Sequence, residues 1–180
     1  MTAPADLAAG YRKGGNRSPG EAAPTPAELA DAYVQAAAGL REAVAGMTRE
    51  QLVARPVPGR MSALEVVCHL SDFEPIFVER FKRILSLDEP PLLLAADEER
   101  FLAALRYHDR DVEEELALIE ATRRHGARLV RGLKPEELTR TGVHNLKGLQ
   151  TLEQVIRTVT GHIPHHLPFI LEKRKALGLA

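Results

Sequence analysis

Three of the chain's seven histidines fall in one short stretch, Gly161-His162-Ile163-Pro164-His165-His166-Leu167. On an α-helix residues four apart stand one turn above each other, so His162 and His166 can direct two imidazoles at one point. Stepping about 100° per residue from Leu152 puts Val155, Val159, His162, His166 and Ile170 on one stripe, and both rings face inward with the aliphatics. His165 falls about 100° round from His166, on the flank shared with Thr158 and Gly161, which makes it a poorer ligand. Neutral imidazole nitrogens suit zinc, nickel, copper or iron. A catalytic metal site holds three protein groups and keeps one position open, where a water or a thiol loses its proton near neutral pH.

The third group has to come from another segment, and His69 is the candidate. Ser62-Ala63-Leu64-Glu65 is a capping box that opens a helix running to about Leu87. Val66, Phe73 and Ile76 lie three before, four after and seven after His69, which sets this imidazole beside the apolar face of Leu70, Phe77 and Ile84. The core between helices is where bundles build metal sites. Asp72, almost one turn further on, can accept a hydrogen bond from a ligand imidazole, or stand as a solvated carboxylate.

The same histidines also admit a reading without metal, as hydrogen-bonded residues of a pocket. Burying several imidazoles with no common partner would leave orphaned nitrogens, at about 1–3 kcal/mol each. Rival metal patterns fail: Ile163 stands where a helical metalloprotease motif needs glutamate, and the chain has no Glu-x-x-His pair of the di-iron kind. Cys68 precedes His69, but helical neighbours point about 100° apart, so it reads as a small buried hydrophobe rather than half of a dyad. His108 and His125 stand among charges and read as surface groups. His144 lies in a loop that can either approach the site or sit in a solvated turn.

The elements that must position these groups read as helices. Thr25-Pro26-Ala27-Glu28 caps an alanine-rich helix extending to Gly46, and Thr48-Arg49-Glu50-Gln51 caps a short turn stopped by Arg55-Pro56-Val57-Pro58-Gly59. Pro75 is expected to kink the helix that carries His69. After Glu89-Pro90-Pro91 a third helical region runs from about Asp97 to Gly132, bent near Tyr107-His108-Asp109. A loop from Thr139 to Gln150 leads to Thr151-Leu152-Glu153-Gln154, which caps the last long helix, ended by Gly178. No segment alternates as a strand does. The expected fold class is therefore all-α, a four-helix bundle with short extra helical turns, over residues 24–180, preceded by a disordered tail over 1–23.

Composition narrows the partners. The 24 basic and 25 acidic side chains leave a net charge of −1 and no field to draw the protein onto nucleic acid. One cysteine forbids an internal disulfide, and the amino terminus has no apolar signal-like run. No stretch approaches the roughly 18 apolar residues of a membrane span. The expectation is a cytoplasmic protein with no nucleic-acid or membrane partner.

Two segments carry a family likeness. Arg55-Pro56-Val57-Pro58-Gly59-Arg60-Met61-Ser62-Ala63-Leu64-Glu65-Val66-Val67-Cys68-His69-Leu70-Ser71-Asp72 resembles the "PGKWS…E…HL.D" segment of the DinB/YfiT-like superfamily, and His162-Ile163-Pro164-His165-His166 resembles its "H..HH". The resemblance covers about residues 26–177, with Met61 where the family usually has tryptophan and prolines at 164 and 168 bracketing the histidine pair. It implies a four-helix bundle whose metal triad is His69, His162 and His166, with His165 the family's non-ligand histidine. It further implies one divalent ion, often zinc or nickel, and commonly a homodimer. Characterised members of that superfamily include thiol-dependent S-transferases. The leading expectation is a metal-dependent enzyme that activates a low-molecular-weight thiol or water against a small electrophilic substrate. The competing one is a non-catalytic bundle that binds a small ligand or a protein partner.

Overall fold

N-terminal caps set the helix starts much as the sequence implies, in a computed structural model that describes residues 23–179. Thr25 and Glu28 form a reciprocal capping box for α1 (Pro26–Gln35). α2 (Leu40–Val44) and α3 (Arg49–Val53) follow, the latter capped by Thr48 and Gln51. Ser62 and Glu65 cap α4 (Ala63–Ser86). Asp97 caps α5 (Glu98–Ala104), and Asp111 accepts from the Glu113 and Glu114 amides at the start of α6 (Val112–Arg131). Thr151 and Gln154 cap α7 (Leu152–Thr160), and α8 (His162–Ala176) continues from it. Each cap satisfies backbone donors that a helix start leaves open, typically worth about 1 kcal/mol. The tail expected over residues 1–23 lies, Ala23 apart, outside the described residues.

Four arms make the bundle: α1 with α2, α4, α6, and α7 with α8. α6 packs on α1 and α4, α7 closes on α1 and α4, and α8 packs on α4 and α2. Two apolar clusters fill the interior. One gathers Tyr33, Phe77, Phe81, Val130, Ile156 and Val159; the other gathers Leu64, Val67, Leu70, Leu116, Ile163 and Ile170. The α4 members switch from one cluster to the other between Leu70 and Phe77, and the last arm switches between Val159 and Ile163. The histidines and a buried Glu74–Arg123 pair lie at that level.

Several elements differ from expectation. The first helix does not run to Gly46: it stops at Gln35, and α2 starts beyond Gly39, whose φ of +83° glycine adopts without a Cβ penalty. The third region divides into α5, a 3-10 turn at Tyr107–Asp109 and α6, broken where the sequence pattern is interrupted. α4 runs unbroken through Pro75, an exposed residue whose ring sits on the solvent side of the bundle.

The segment expected as a loop over Thr139–Gln150 contains two strands. β1 (Leu92–Leu93) pairs in parallel with β2 (Thr141–His144), which pairs antiparallel with β3 (Gly148–Thr151). Strands this short carry too few residues for a period of two to register. Gly142 allows β2 to press on the core, because a Cβ there would stand 2.8 Å from Leu93 Cδ1 and 3.2 Å from Ile84 Cγ1. Gly142→Ala is expected to cost about 1–3 kcal/mol, as overpacking does, and a urea melt measures it. Among the described residues no helix is long and apolar enough to cross a membrane.

Candidate metal centre

The last helix, expected as one element from Thr151 to Gly178, divides at Gly161 into α7 and α8, and the histidine pair opens the second piece. In a continuous helix Thr160 O would accept from the amide of residue 164, but Pro164 has none, and α7 ends at Thr160 with Gly161 as the joint. Pro164 therefore falls in the first turn of α8, where an amide would have no intrahelical acceptor within α8. Pro168 lies further inside α8 and is exposed. The pair is not splayed by these prolines: the His162 and His166 ring centroids are 4.9 Å apart.

His69 reaches the same point from α4. Its Nε2 stands 3.0 Å from His162 Nε2, and its ring centroid is 5.0 Å from that of His162 and 4.7 Å from that of His166. One nitrogen from each of the three rings lies within 4.8 Å of the other two. A tetrahedral ion with bonds of about 2.0–2.1 Å spaces its nitrogens about 3.3–3.4 Å apart, so small ring adjustments, with the 3.0 Å His69–His162 pair opening slightly, would let the three donors share one ion. His165 stays outside this set, packing edge-on against His166 and Phe169.

Burial fixes the protonation state. His69, His162 and His166 are 2%, 3% and 8% exposed. Desolvation, with the neighbouring histidines adding to it, lowers His69 to about 4, His166 to about 3 and His162 well below its ordinary value. All three rings are neutral at pH 7, which is the form that donates a lone pair to a metal. His69 Nδ1 has no hydrogen-bond partner among the described residues, and the ring is held by Phe73, 4.4 Å away. Three converging neutral imidazoles fit a divalent transition-metal ion.

The titration has a consequence for stability. An unfolded histidine takes a proton near 6.5 while these folded rings do not, so the unfolded state binds more protons as pH falls through that value. Stability of metal-free protein is expected to drop between pH 6.5 and 4. The same scan on His166→Gln should be less steep, and equal slopes in chemical denaturation would refute it.

Asp72 lies near His69, and its charge opposes the lowering of that pKa, but its Oδ1 accepts from Arg110 Nη1 at 2.9 Å. His144 sits buried in β2, its Nδ1 accepting from Leu146 N, apart from the three-histidine set. His108, half-exposed, contacts Glu65 at 2.8 Å, and His125 neighbours Arg128. Cys68 is fully buried, and burial with the nearby Glu115 pushes its thiol up to about 12.

Sequence reasoning missed two features. Glu98, first residue of α5, places Oε2 4.0 Å from His69 Nε2. The second is a clamp spanning four helices. Arg123 of α6 donates to Glu74 Oε1 of α4 from Nε at 3.0 Å and Nη2 at 2.6 Å, to Tyr33 O of α1 at 2.6 Å, and to Val159 O of α7 at 3.0 Å. Tyr33 Oη donates to Glu74 Oε2 at 2.7 Å. The carbonyl that Arg123 takes at Val159 belongs to the last turn of α7.

The comparisons agree with this geometry. A family model described as the DinB superfamily matches residues 32–170. A protein of Oceanobacillus iheyensis carrying the name "Putative metal-dependent hydrolase" is 30% identical over 138 residues, 76% of this chain and 79% of its own length. The solved structure of YfiT from Bacillus subtilis, described as "a probable metal-dependent hydrolase with an unusual four-helix bundle topology", superposes with a TM-score of 0.80 at 25% identity. The match covers 92% of this chain and 96% of that one. With a family match over most of its length and that bundle reproduced around three histidines from two helices, the chain belongs to the DinB superfamily.

Proposed function

We propose that the protein is a metal-dependent hydrolase of small molecules, with one divalent ion held by His69, His162 and His166. The observation that carries this is the meeting of three buried, neutral imidazoles from α4 and α8 at one point. A divalent ion held there supplies Lewis acidity and lowers the pKa of a water in its open position. The chain's part is to keep the rings neutral by burial, to orient them by packing on Phe73, Phe77 and Phe169, and to exclude bulk water. The names carried by the two relatives favour water over a thiol as nucleophile.

Cys68 is too buried and too weakly acidic to serve as a nucleophile of the chain's own, so a thiol reaction would draw on a free low-molecular-weight thiol. The test is elemental analysis of untagged protein, followed by assays of ester, amide and electrophilic substrates with and without added thiols. About one zinc or nickel per chain and turnover without thiol are expected. Turnover that depends on thiol would convert the reading to an S-transferase. Absence of metal, with no thermal shift on adding zinc or nickel, would favour a non-catalytic binding module instead.

A further inference from the structure

The acidic side chains around the histidines are, with one exception, engaged elsewhere. Asp72 is held by Arg110, Glu115 by Ser71 and Arg110, Glu74 by Arg123 and Tyr33, and Glu65 by Arg55 and the Ser62 amide. The exception is Glu98. Among the described residues the one polar contact recorded for its carboxylate is His69 Nε2, 4.0 Å away.

The same nitrogen faces His162 Nε2 at 3.0 Å, so Glu98 approaches the histidine set at an atom that points into it. At 4.0 Å the two atoms are beyond a direct hydrogen bond and close enough to share a bound cation or water. Glu98 is not one of the set whose donor atoms lie within 4.8 Å of one another. It lies at the edge of that set, beside one of its three donors, where it can meet an occupant that the rings share.

Its mounting supports this. Phe101, three residues on and so on the same helical face, packs at 5.9 Å on Phe73, the ring that also holds His69. α5 is thereby fixed to α4 with Glu98 turned to the histidines, while its side chain stays 36% exposed. The carboxylate thus bridges the buried rings and solvent, where a substrate must enter.

Resting on the metal-centre reading, we propose that Glu98 is the fourth polar group of the site. Its carboxylate accepts a hydrogen bond from the water or substrate hydroxyl at the position the imidazoles leave open, and so holds the ion more firmly. No bond to carbon is made or broken by Glu98 in this role.

The experiment is a cobalt(II) titration of metal-free wild-type protein, Glu98→Ala, Glu98→Gln and His166→Ala, reading affinity by chelator competition and geometry from the visible spectrum. Groups that hold a metal's ligands from outside typically carry about 10- to 100-fold in affinity. Both Glu98 variants are expected to weaken cobalt by about tenfold on that scale and to shift the spectrum, with metal-free melting temperatures close to wild type. Wild-type affinity and spectrum in both Glu98 variants, alongside lost binding in His166→Ala, would overturn the role of Glu98 and leave the metal centre standing. No cobalt binding by wild-type protein would overturn both.

Discussion

His166→Ala protein is expected to fold and to lose its ion. In the proposed centre His166 is one of three donors, from the first turns of α8, and its removal would leave two imidazoles to hold a cation. Since groups outside a metal's own ligands already carry about 10- to 100-fold in affinity, the loss of a direct ligand should exceed about 100-fold. Hydrolytic turnover should fall with metal content. The fold should survive because the two apolar clusters and the Glu74–Arg123 clamp that hold the helices together do not include His166. Metal analysis, activity and a circular dichroism melt on the same sample check this; a folded variant that keeps wild-type metal content would remove the triad from the site.

The largest effect on stability is expected at Glu74. Burial pushes its carboxyl up, and the Arg123 guanidinium and Tyr33 hydroxyl pull it back. Glu74→Leu would leave the Arg123 guanidinium, 1% exposed, without its counter-charge in the middle of the bundle. Breaking a buried pair in this way costs about 3–5 kcal/mol. For a chain of this size 1 kcal/mol moves the melting temperature by about 2–4 °C, so a drop on the order of 10 °C is expected in chelator. Tyr33→Phe removes one hydrogen bond and keeps the charges, and its cost should be nearer 1–2 kcal/mol. If Glu74→Leu melts with wild type, the clamp holds nothing together.

The starts of α1, α4 and α7 were legible because each is written in side chains within four residues: Thr25 with Glu28, Ser62 with Glu65, Thr151 with Gln154. The convergence of His162 and His166 was legible for the same reason, since a helix brings i and i+4 together whatever the rest of the chain does. His69 required a second helix to be correctly faced, and its apolar neighbours on α4 sufficed. The short strands were not legible, because β1 and β2 pair across a separation of about fifty residues and neither is long enough to show a pattern of its own.

The clamp left a trace that went unread. Leu70, Glu74, Phe77 and Phe81 fall at helical spacing on α4, and Leu116, Ile119, Arg123 and Val130 do so on α6. An acid on one apolar stripe and a base on another are a signal for a buried pair. Glu98 left none, because its position depends on how α5 docks against α4, and α5 has no buried residue to reveal its facing.

His69 and His162 are 93 residues apart in the chain, yet their rings nearly touch. An ion shared between them would act as a removable staple across α4 and α8, one that a denatured chain could not reproduce with the His162 and His166 pair alone. Slow metal release would then set how quickly the bundle comes apart, so the same protein would be long-lived when loaded and quick to unravel when starved of its cation.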